Sequence, residues 1–184
     1  MKAALLVIDM QMEMAFRTLA GRDRANPDAE THVAALLALF RAEHRPVIHV
    51  HQDEPGSPVA RDAPGGAVMP CATPLPGETI LTKSRSSAFH GTGLGAHLQA
   101  HRVSHLVIAG AVAALCVTST TRVASDLGYT VLLPHDALIG FDIPRPDGSR
   151  IAAATVLDVT LTLLGADFAH AMPSRAIAAA LPAR

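Results

Sequence analysis

Short apolar segments alternate with longer stretches of helical periodicity along this chain. Continuous apolar runs of a few residues are typical of strands that are buried on both faces of a sheet. Such runs predict strands over residues 3–8, 46–50, 105–109, 130–133 and 167–172. A turn at Gly77 precedes a further short strand that ends at Lys83.

Helical spacing of apolar residues separates these strands. The clearest case, residues 28–43, begins with a capping residue after Pro27. Its apolar side chains Val33, Leu37 and Phe40 recur on one helical face. The same pattern predicts helices over residues 94–101, 116–127 and 150–164. Alternating strands and helices favour right-handed crossovers, so the sequence predicts an α/β fold with a parallel sheet covered by helices on both faces.

The composition is that of one globular domain, residues 1–184, with a sizeable core. Of its residues 49% are hydrophobic and 17% are charged, and this length is short for two domains. Lys and Arg number 15 against 16 Asp and Glu, and aromatic residues make up only 3%, which argues against nucleic-acid binding. The first apolar run ends at Asp9, too early for a membrane span, and no small-residue cleavage site follows it as a signal peptide requires, so we expect a soluble cytoplasmic protein.

The two cysteines differ in their sequence context. They are too few for a disulfide framework and lack the CxxC spacing of a redox or zinc site. Cys71 lies in a long proline-rich loop, residues 52–76, and we expect it to be non-catalytic. Cys116 follows the strand at 105–109 and opens the predicted helix at 116–127, where unpaired N–H groups favour the thiolate. The alternative is that Cys116 is a small buried hydrophobic residue.

Three polar residues are predicted to lie at strand ends, where ligands of such sheets bind: Asp9, Lys83 and Cys116. A carboxylate can take the thiol proton and return it to a leaving amine, while an ammonium group stabilises the thiolate. Taken singly, Asp9 could be a turn-forming residue and Lys83 a solvated surface charge. Their joint placement favours a catalytic site. The sequence contains no Gly-x-Ser-x-Gly elbow and no phosphate-binding loop that would favour another chemistry.

A separate group of polar residues follows the second strand. His49, His51 and Asp53 alternate, which places them on one face of an extended segment with a spacing that could hold a metal. No further histidine occurs before His90. We favour histidines that are hydrogen-bonded to their neighbours, so the sequence predicts neither a metal nor another cofactor.

The residues around the predicted strand ends form short motifs. They are Leu6-Val7-Ile8-Asp9-Met10-Gln11, Pro46-Val47-Ile48-His49-Val50, Lys83-Ser84-Arg85-Ser86-Ser87-Ala88-Phe89-His90-Gly91-Thr92, Val107-Ile108-Ala109-Gly110 with Cys116-Val117, and His135-Asp136-Ala137. In combination, and over nearly the whole chain, they resemble the isochorismatase-like cysteine hydrolases, a family that includes nicotinamidases and carbamoylsarcosine amidohydrolases.

The resemblance implies a three-layer α/β/α fold with a mainly parallel, Rossmann-like sheet and an Asp-Lys-Cys triad on Asp9, Lys83 and Cys116. It also implies a cis peptide bond between Ala111 and Val112 that aims backbone N–H groups at the reacting carbonyl oxygen, with Val112 and Cys116 as oxyanion donors. On this basis we expect a homo-oligomer, a dimer or a tetramer, that hydrolyses an amide-like C–N bond of a small molecule through a thioester, without a cofactor.

The chain departs from the family pattern just before the cysteine. Ala113, Ala114 and Leu115 stand where many members have a threonine and a polar residue, so we expect apolar pocket walls and a small, weakly charged amide. The expected pocket residues are Phe16, Phe89, His90, Leu115 and Phe141. Two alternatives stay open: hydrolysis of an isochorismate-type vinyl ether, against which the retained cysteine argues, and a non-catalytic binding or scaffold protein.

Overall fold

The computed structural model describes residues 2–183 and contains a central sheet. The strands are β1 (Lys2–Ile8), β2 (Arg24–Ala25), β3 (Val47–Gln52), β4 (Thr79–Lys83), β5 (Val103–Ala111), β6 (Thr130–Pro134), β7 (Leu138–Phe141), β8 (Ile143–Pro144), β9 (Arg150–Ile151) and β10 (His170–Met172). Six of them pair side by side in the order β10-β6-β5-β1-β3-β4, and every pairing in this series is parallel. β7 adds to β5 in parallel and β2 pairs antiparallel with β7, while β8 and β9 form a separate hairpin.

Helices cover both faces of the sheet. They are α1 (Met12–Leu19), α2 (Ala29–Ala42), α3 (Leu94–Ala100), α4 (Thr118–Asp126), α5 (Ala153–Asp167) and α6 (Ile177–Ala180). Because successive side chains of a strand point to opposite faces, Val7 of β1 packs in the core layer of Phe40 from α2. Its neighbour Ile8 packs in the opposite layer with Leu98 from α3. The predicted three-layer α/β/α fold with a mainly parallel sheet is therefore confirmed.

The sequence located the main strands and helices to within a few residues. It missed α1, in which Met14 alone is buried, because a helix of 8 residues makes little more than two turns, shorter than the stretch over which periodicity identifies a helix. The predicted start of the helix at Cys116 was wrong. Residues Ala113–Val117 form a π-helical turn, and α4 begins only at Thr118.

The proline-rich segment 52–76 folds back over α1 rather than extending into solvent. Met12 N–H donates to Ala67 O at 2.8 Å, and Met69 N–H donates to Met10 O at 2.9 Å. Cys71 is half-buried and packs against the core in a short turn, Pro70–Ala72. Within residues 2–183, no helix is both long enough and apolar enough to cross a membrane.

Candidate active site

Four neighbouring strands end at the same edge of the sheet, and each brings a polar side chain there. In sheet order these are Cys116 after β5, Asp9 after β1, Gln52 at the end of β3 and Lys83 at the end of β4. Gln52 and Lys83 are partners in the register of the β3–β4 pair. The structure thus brings together the three residues predicted from the sequence, and it adds Gln52, which the sequence analysis missed.

Lys83 lies at the centre of this group and is only 2% exposed. Its Nζ lies 2.8 Å from Asp9 Oδ2, donates to Gln52 Oε1 at 2.5 Å, and lies 3.3 Å from Cys116 Sγ. These three acceptors match the three N–H donors of an ammonium group. A buried polar group is tolerated when it is paired and hydrogen-bonded, and Asp9 and Gln52 provide these partners for Lys83 beside the thiol.

Gln52 is itself fixed by a second glutamine. The Gln11 side chain accepts a hydrogen bond from Gln52 N–H at 2.8 Å and donates to Gln52 O at 2.9 Å. This pairing of a side-chain amide with a backbone peptide holds the end of β3 beside the residues that follow β1. Gln11 lies in the first sequence motif, but nothing in its local sequence shows that it contacts a strand end more than forty residues away.

Asp9 occupies an unusual backbone position. Its φ of +50° lies in the left-handed region, which Asp tolerates better than most side chains. The side chain is buried, and within residues 2–183 Oδ1 has no hydrogen-bond partner. Asp9 therefore presents one oxygen to Lys83, and its carboxylate also interacts with the Cys116 thiol.

The loop that carries Cys116 begins at a close contact between β5 and β1. Gly110 has a φ of +116°, and a Cβ built on it would lie 2.1 Å from Ile8 O, so only glycine fits there. The Ala111–Val112 peptide bond that follows is cis. The π-helical turn then places Cys116 beside the ends of β1 and β4. The assignment of Val112 and Cys116 N–H groups as oxyanion donors stays a prediction.

The surroundings of Cys116 favour the thiol in the resting protein. Burial and the nearby Asp9 carboxylate raise the pKa of Cys116 to about 11, although Lys83 opposes the shift. Burial also raises the pKa of Asp9 above its ordinary value, against the effect of Lys83. The sequence-based expectation of a stabilised thiolate was wrong, because burial and a carboxylate outweigh the ammonium group. A carboxylate with a raised pKa is correspondingly a better acceptor for the thiol proton.

A cavity of about 400 Å³ opens above this group. Of the five expected pocket residues only Leu115 lines it. Phe16 is exposed on α1, Phe89 stacks on Tyr129 with ring centroids 6.1 Å apart, His90 lies in an exposed loop and Phe141 is buried in the core. The lining is Asp9, Met14, Arg17, Gln52, Glu54, Val59, Ser84, Arg85, Ser86, Val112, Leu115 and Cys116. The walls are thus more polar than the sequence suggested.

The histidines of β3 lie in a separate cluster. His49 is fully buried, and its Nε2 hydrogen-bonds to Glu78 Oε2 at 2.9 Å. Arg41 holds the same carboxylate through two hydrogen bonds of 2.7 and 3.0 Å. Although burial opposes ionisation, the hydrogen bonds from Arg41, Leu75 N–H and His49 lower the pKa of Glu78 to about 2. Among residues 2–183, no group of three or more His, Cys, Asp or Glu side chains is arranged to hold a metal ion.

The geometry can be compared with known proteins. The isochorismatase domain model matches this chain over residues 3–179. The chain belongs to the isochorismatase family. A crystal structure of an isochorismatase-family protein from Chromobacterium violaceum has 37% sequence identity and a TM-score of 0.90, and the match covers 97% of this chain and 93% of that one.

Two further isochorismatase-family relatives carry names that state an activity. Streptothricin hydrolase from Streptomyces noursei is 36% identical over 83% of this chain, but the match spans only 55% of that hydrolase. The crystal structure of N-carbamoylsarcosine amidase from Thermoplasma acidophilum has 25% identity and a TM-score of 0.73, and the match covers 95% of this chain and 97% of that one. Both of these relatives of the isochorismatase-family chain are named as hydrolytic enzymes, one as a hydrolase and the other as an amidase.

Proposed function

We propose that this isochorismatase-family hydrolase cleaves an amide-like C–N bond of a small molecule through a thioester on Cys116. The observation that carries the proposal is the position of Lys83 Nζ, 2.8 Å from Asp9 Oδ2 and 3.3 Å from Cys116 Sγ, at the base of a cavity. A thiol, a carboxylate base and an ammonium group are then within reach of one another, as covalent catalysis by cysteine requires.

Each residue has a distinct part in the reaction. As Cys116 Sγ attacks the carbonyl carbon, its proton passes to Asp9, whose raised pKa suits it to accept a proton. Lys83 stabilises the negative charge that develops on sulfur. When the C–N bond breaks, Asp9 returns the proton to the departing nitrogen. Water then attacks the thioester, which releases a carboxylic acid and restores the thiol.

The resting thiol favours attack that is coupled to proton transfer. With a pKa of about 11, Cys116 carries very little thiolate near neutral pH, so a base must act during the attack itself. Asp9 is the acidic residue of the cavity lining that contacts Lys83. An amide needs a proton on its leaving nitrogen, and Asp9 gains that proton in the first step. Because Asp9 can pass this proton to a leaving nitrogen, the site suits the cleavage of an amide-like bond better than that of a vinyl ether.

The decisive variant is Cys116→Ala. We expect it to lose amide hydrolysis by about a thousandfold or more while its thermal unfolding stays close to that of the parent protein. Ammonia release from a panel of small amides and carbamoyl compounds measures the activity, and intact mass detects the acyl adduct on the parent enzyme. Cys71→Ala is the matched control and should keep full activity.

The outcomes separate the three candidate functions. Amide hydrolysis that survives Cys116→Ala would contradict the proposal. Turnover of a vinyl ether without any acyl adduct would favour the alternative hydrolase. Absence of turnover over the whole panel, together with no acyl adduct on Cys116, would favour a non-catalytic protein.

A further inference from the structure

The cavity above Cys116 contains two guanidinium groups. Arg17 comes from α1 and Arg85 follows β4, and both line the cavity. The sequence analysis assigned no role to either residue. Planar guanidinium groups suit carboxylates, because they can offer paired N–H donors with the matching spacing.

Arg17 is held in place before any ligand arrives. Its Nε donates to Glu13 Oε1 at 2.9 Å, one turn earlier on α1. The guanidinium carbon lies 6.0 Å from the centre of the Phe141 ring. This arrangement orients the side chain through Nε, while no hydrogen bond or ion pair within residues 2–183 engages its Nη groups. The terminal donors are therefore free for a ligand.

Arg85 has no carboxylate partner in the described part of the chain. Its one hydrogen bond is a long contact of 3.4 Å from Nη1 to Ser84 O. Other arginines around the site are paired: Arg61 with Asp53, and Arg22 with Asp142. An exposed arginine without an acidic partner at the mouth of a cavity is a ready partner for an anion.

The charges at the base of the cavity cancel, so this part of the cavity provides no net negative charge to balance Arg17 and Arg85. Asp9 and Lys83 neutralise each other, and Cys116 is present as the neutral thiol. Glu54 is the other charged residue in the lining. Glu54 is a single exposed carboxylate, and Glu13 pairs with Arg17 from outside the lining. The preference for an anion therefore rests on Arg85, which has no acidic partner among residues 2–183, and on the Nη donors of Arg17.

Resting on the proposed function, we infer that the substrate is a small amide that also carries a carboxylate, and that Arg17 and Arg85 bind this carboxylate. The two arginines then set specificity, whereas Asp9, Lys83 and Cys116 carry out the cleavage. Glu54 repels a second negative charge and limits the substrate to one carboxylate near the arginines.

Two alkylating reagents that differ only in charge test this assignment without any need for turnover. Iodoacetate and iodoacetamide both form an S–CH₂ bond with cysteine and release iodide, but only iodoacetate carries a carboxylate. The ratio of their rates at Cys116, followed by mass spectrometry, measures the preference of the cavity for an anion. We expect this ratio to exceed that of Cys71 in the same protein and of a free thiol.

Arginine variants locate that preference. Arg17→Gln and Arg85→Gln should each lower the ratio about tenfold, the size of one charge-assisted hydrogen bond, through a slower reaction with iodoacetate. Arg61→Gln removes a nearby positive charge outside the lining and should leave the ratio within about twofold of the parent value, as expected for an exposed charge. Glu54→Gln should raise the ratio of the iodoacetate rate to the iodoacetamide rate. Because Arg85 has no ion-pair partner, its variant should unfold as the parent protein does.

An unchanged ratio of iodoacetate to iodoacetamide rates in both arginine variants would overturn the assignment. The same holds if the variants slow alkylation by the two reagents equally.

Three amides of similar size extend the test to turnover: succinamate, butyramide and γ-aminobutyramide, in decreasing order of expected kcat/KM. A higher kcat/KM for the cationic γ-aminobutyramide would overturn the inference and would indicate that Glu54 binds the charged group of the substrate. The two proposals can fail separately. If Cys116→Ala keeps amide hydrolysis, the proposed function fails. The anion site still stands if Arg85→Gln, in a protein that keeps Cys116, lowers the ratio of iodoacetate to iodoacetamide rates.

Discussion

The thiol of Cys116 shows how neighbouring residues decide the reactivity of a single side chain. From the sequence, a helix start and a lysine favour the thiolate. In the structure α4 begins after Cys116, and burial together with Asp9 raises the thiol pKa to about 11. The pKa of this thiol depends on burial, on one carboxylate that raises it and on one ammonium group that lowers it, and each of the two charged groups can be removed in turn.

Removing the carboxylate should lower the thiol pKa. In Asp9→Asn the negative charge that raises the pKa of Cys116 is gone, while Lys83, which lowers it, stays. We therefore expect more thiolate and faster alkylation by iodoacetamide near neutral pH, together with the loss of amide hydrolysis. Thiolate absorbance and alkylation rate, each recorded against pH, measure the shift.

The opposite variant provides the control. Lys83→Met removes the charge that favours the thiolate, so the pKa of Cys116 should rise further and alkylation should slow. A thiol pKa that rises in Asp9→Asn, or that stays unchanged in both variants, would show that Asp9 and Lys83 do not set the protonation of Cys116.

At the scale of single elements, the contact between β1 and β5 determines where the cysteine loop begins. The two strands pair in parallel through Ile8 and Gly110. A side chain at Gly110 would collide with the Ile8 backbone on one side, and its φ of +116° disfavours any other residue. The site therefore depends on a glycine that lies outside the cavity lining.

Gly110→Ala should lower the free energy of unfolding by on the order of 3 kcal/mol or more, because the methyl group meets backbone atoms that cannot move aside. Chemical denaturation monitored by circular dichroism measures the loss. Gly165→Ala is the matched control, since Gly165 lies in α5 with nothing within 4 Å of a new Cβ. That variant should gain about 0.5 to 1 kcal/mol. Equal stability of the two variants would contradict the close approach at Gly110.

The strands and helices that carry the site residues also show what the sequence could and could not predict. The continuous apolar run of the buried strand β1 located the strand end that carries Asp9, and the turn at Gly77 located the short edge strand that ends at Lys83. Gln52 was missed because its role depends on a side-chain contact between β3 and β4. The polar character of the cavity was missed because Arg17 belongs to α1, which the apolar pattern did not reveal. The oxyanion donors and the homo-oligomer stay predictions.

For the whole molecule, buried histidines connect stability to pH. Burial and the neighbouring His49 lower the pKa of His51 from 6.5 to about 4. Burial also lowers the pKa of His49. Below pH 6.5 the unfolded chain binds protons that the folded chain does not, so the free energy of unfolding falls as the pH decreases. Glu78, with a pKa of about 2, adds a further loss only below its ordinary value of 4.5.

His51→Gln should therefore flatten the stability profile between pH 6.5 and about 4. We expect the parent protein to lose about 1 to 3 kcal/mol more than the variant across this window. Urea denaturation at several pH values measures both slopes. His170→Gln replaces an exposed histidine of β10 and serves as the control. Parallel slopes for the parent protein and His51→Gln would contradict the assignment.

The order of strands along the sheet edge has a consequence for how the protein reaches its native state. Cys116 follows β5, Asp9 follows β1 and Lys83 ends β4, and β3 lies between β1 and β4 in the sheet. No contiguous fragment that begins after Asp9 or ends before Cys116 holds all three side chains. The anion-selective alkylation of Cys116 can therefore act as a reporter of refolding, because it should appear only when four strands from distant parts of the chain have docked in the correct order.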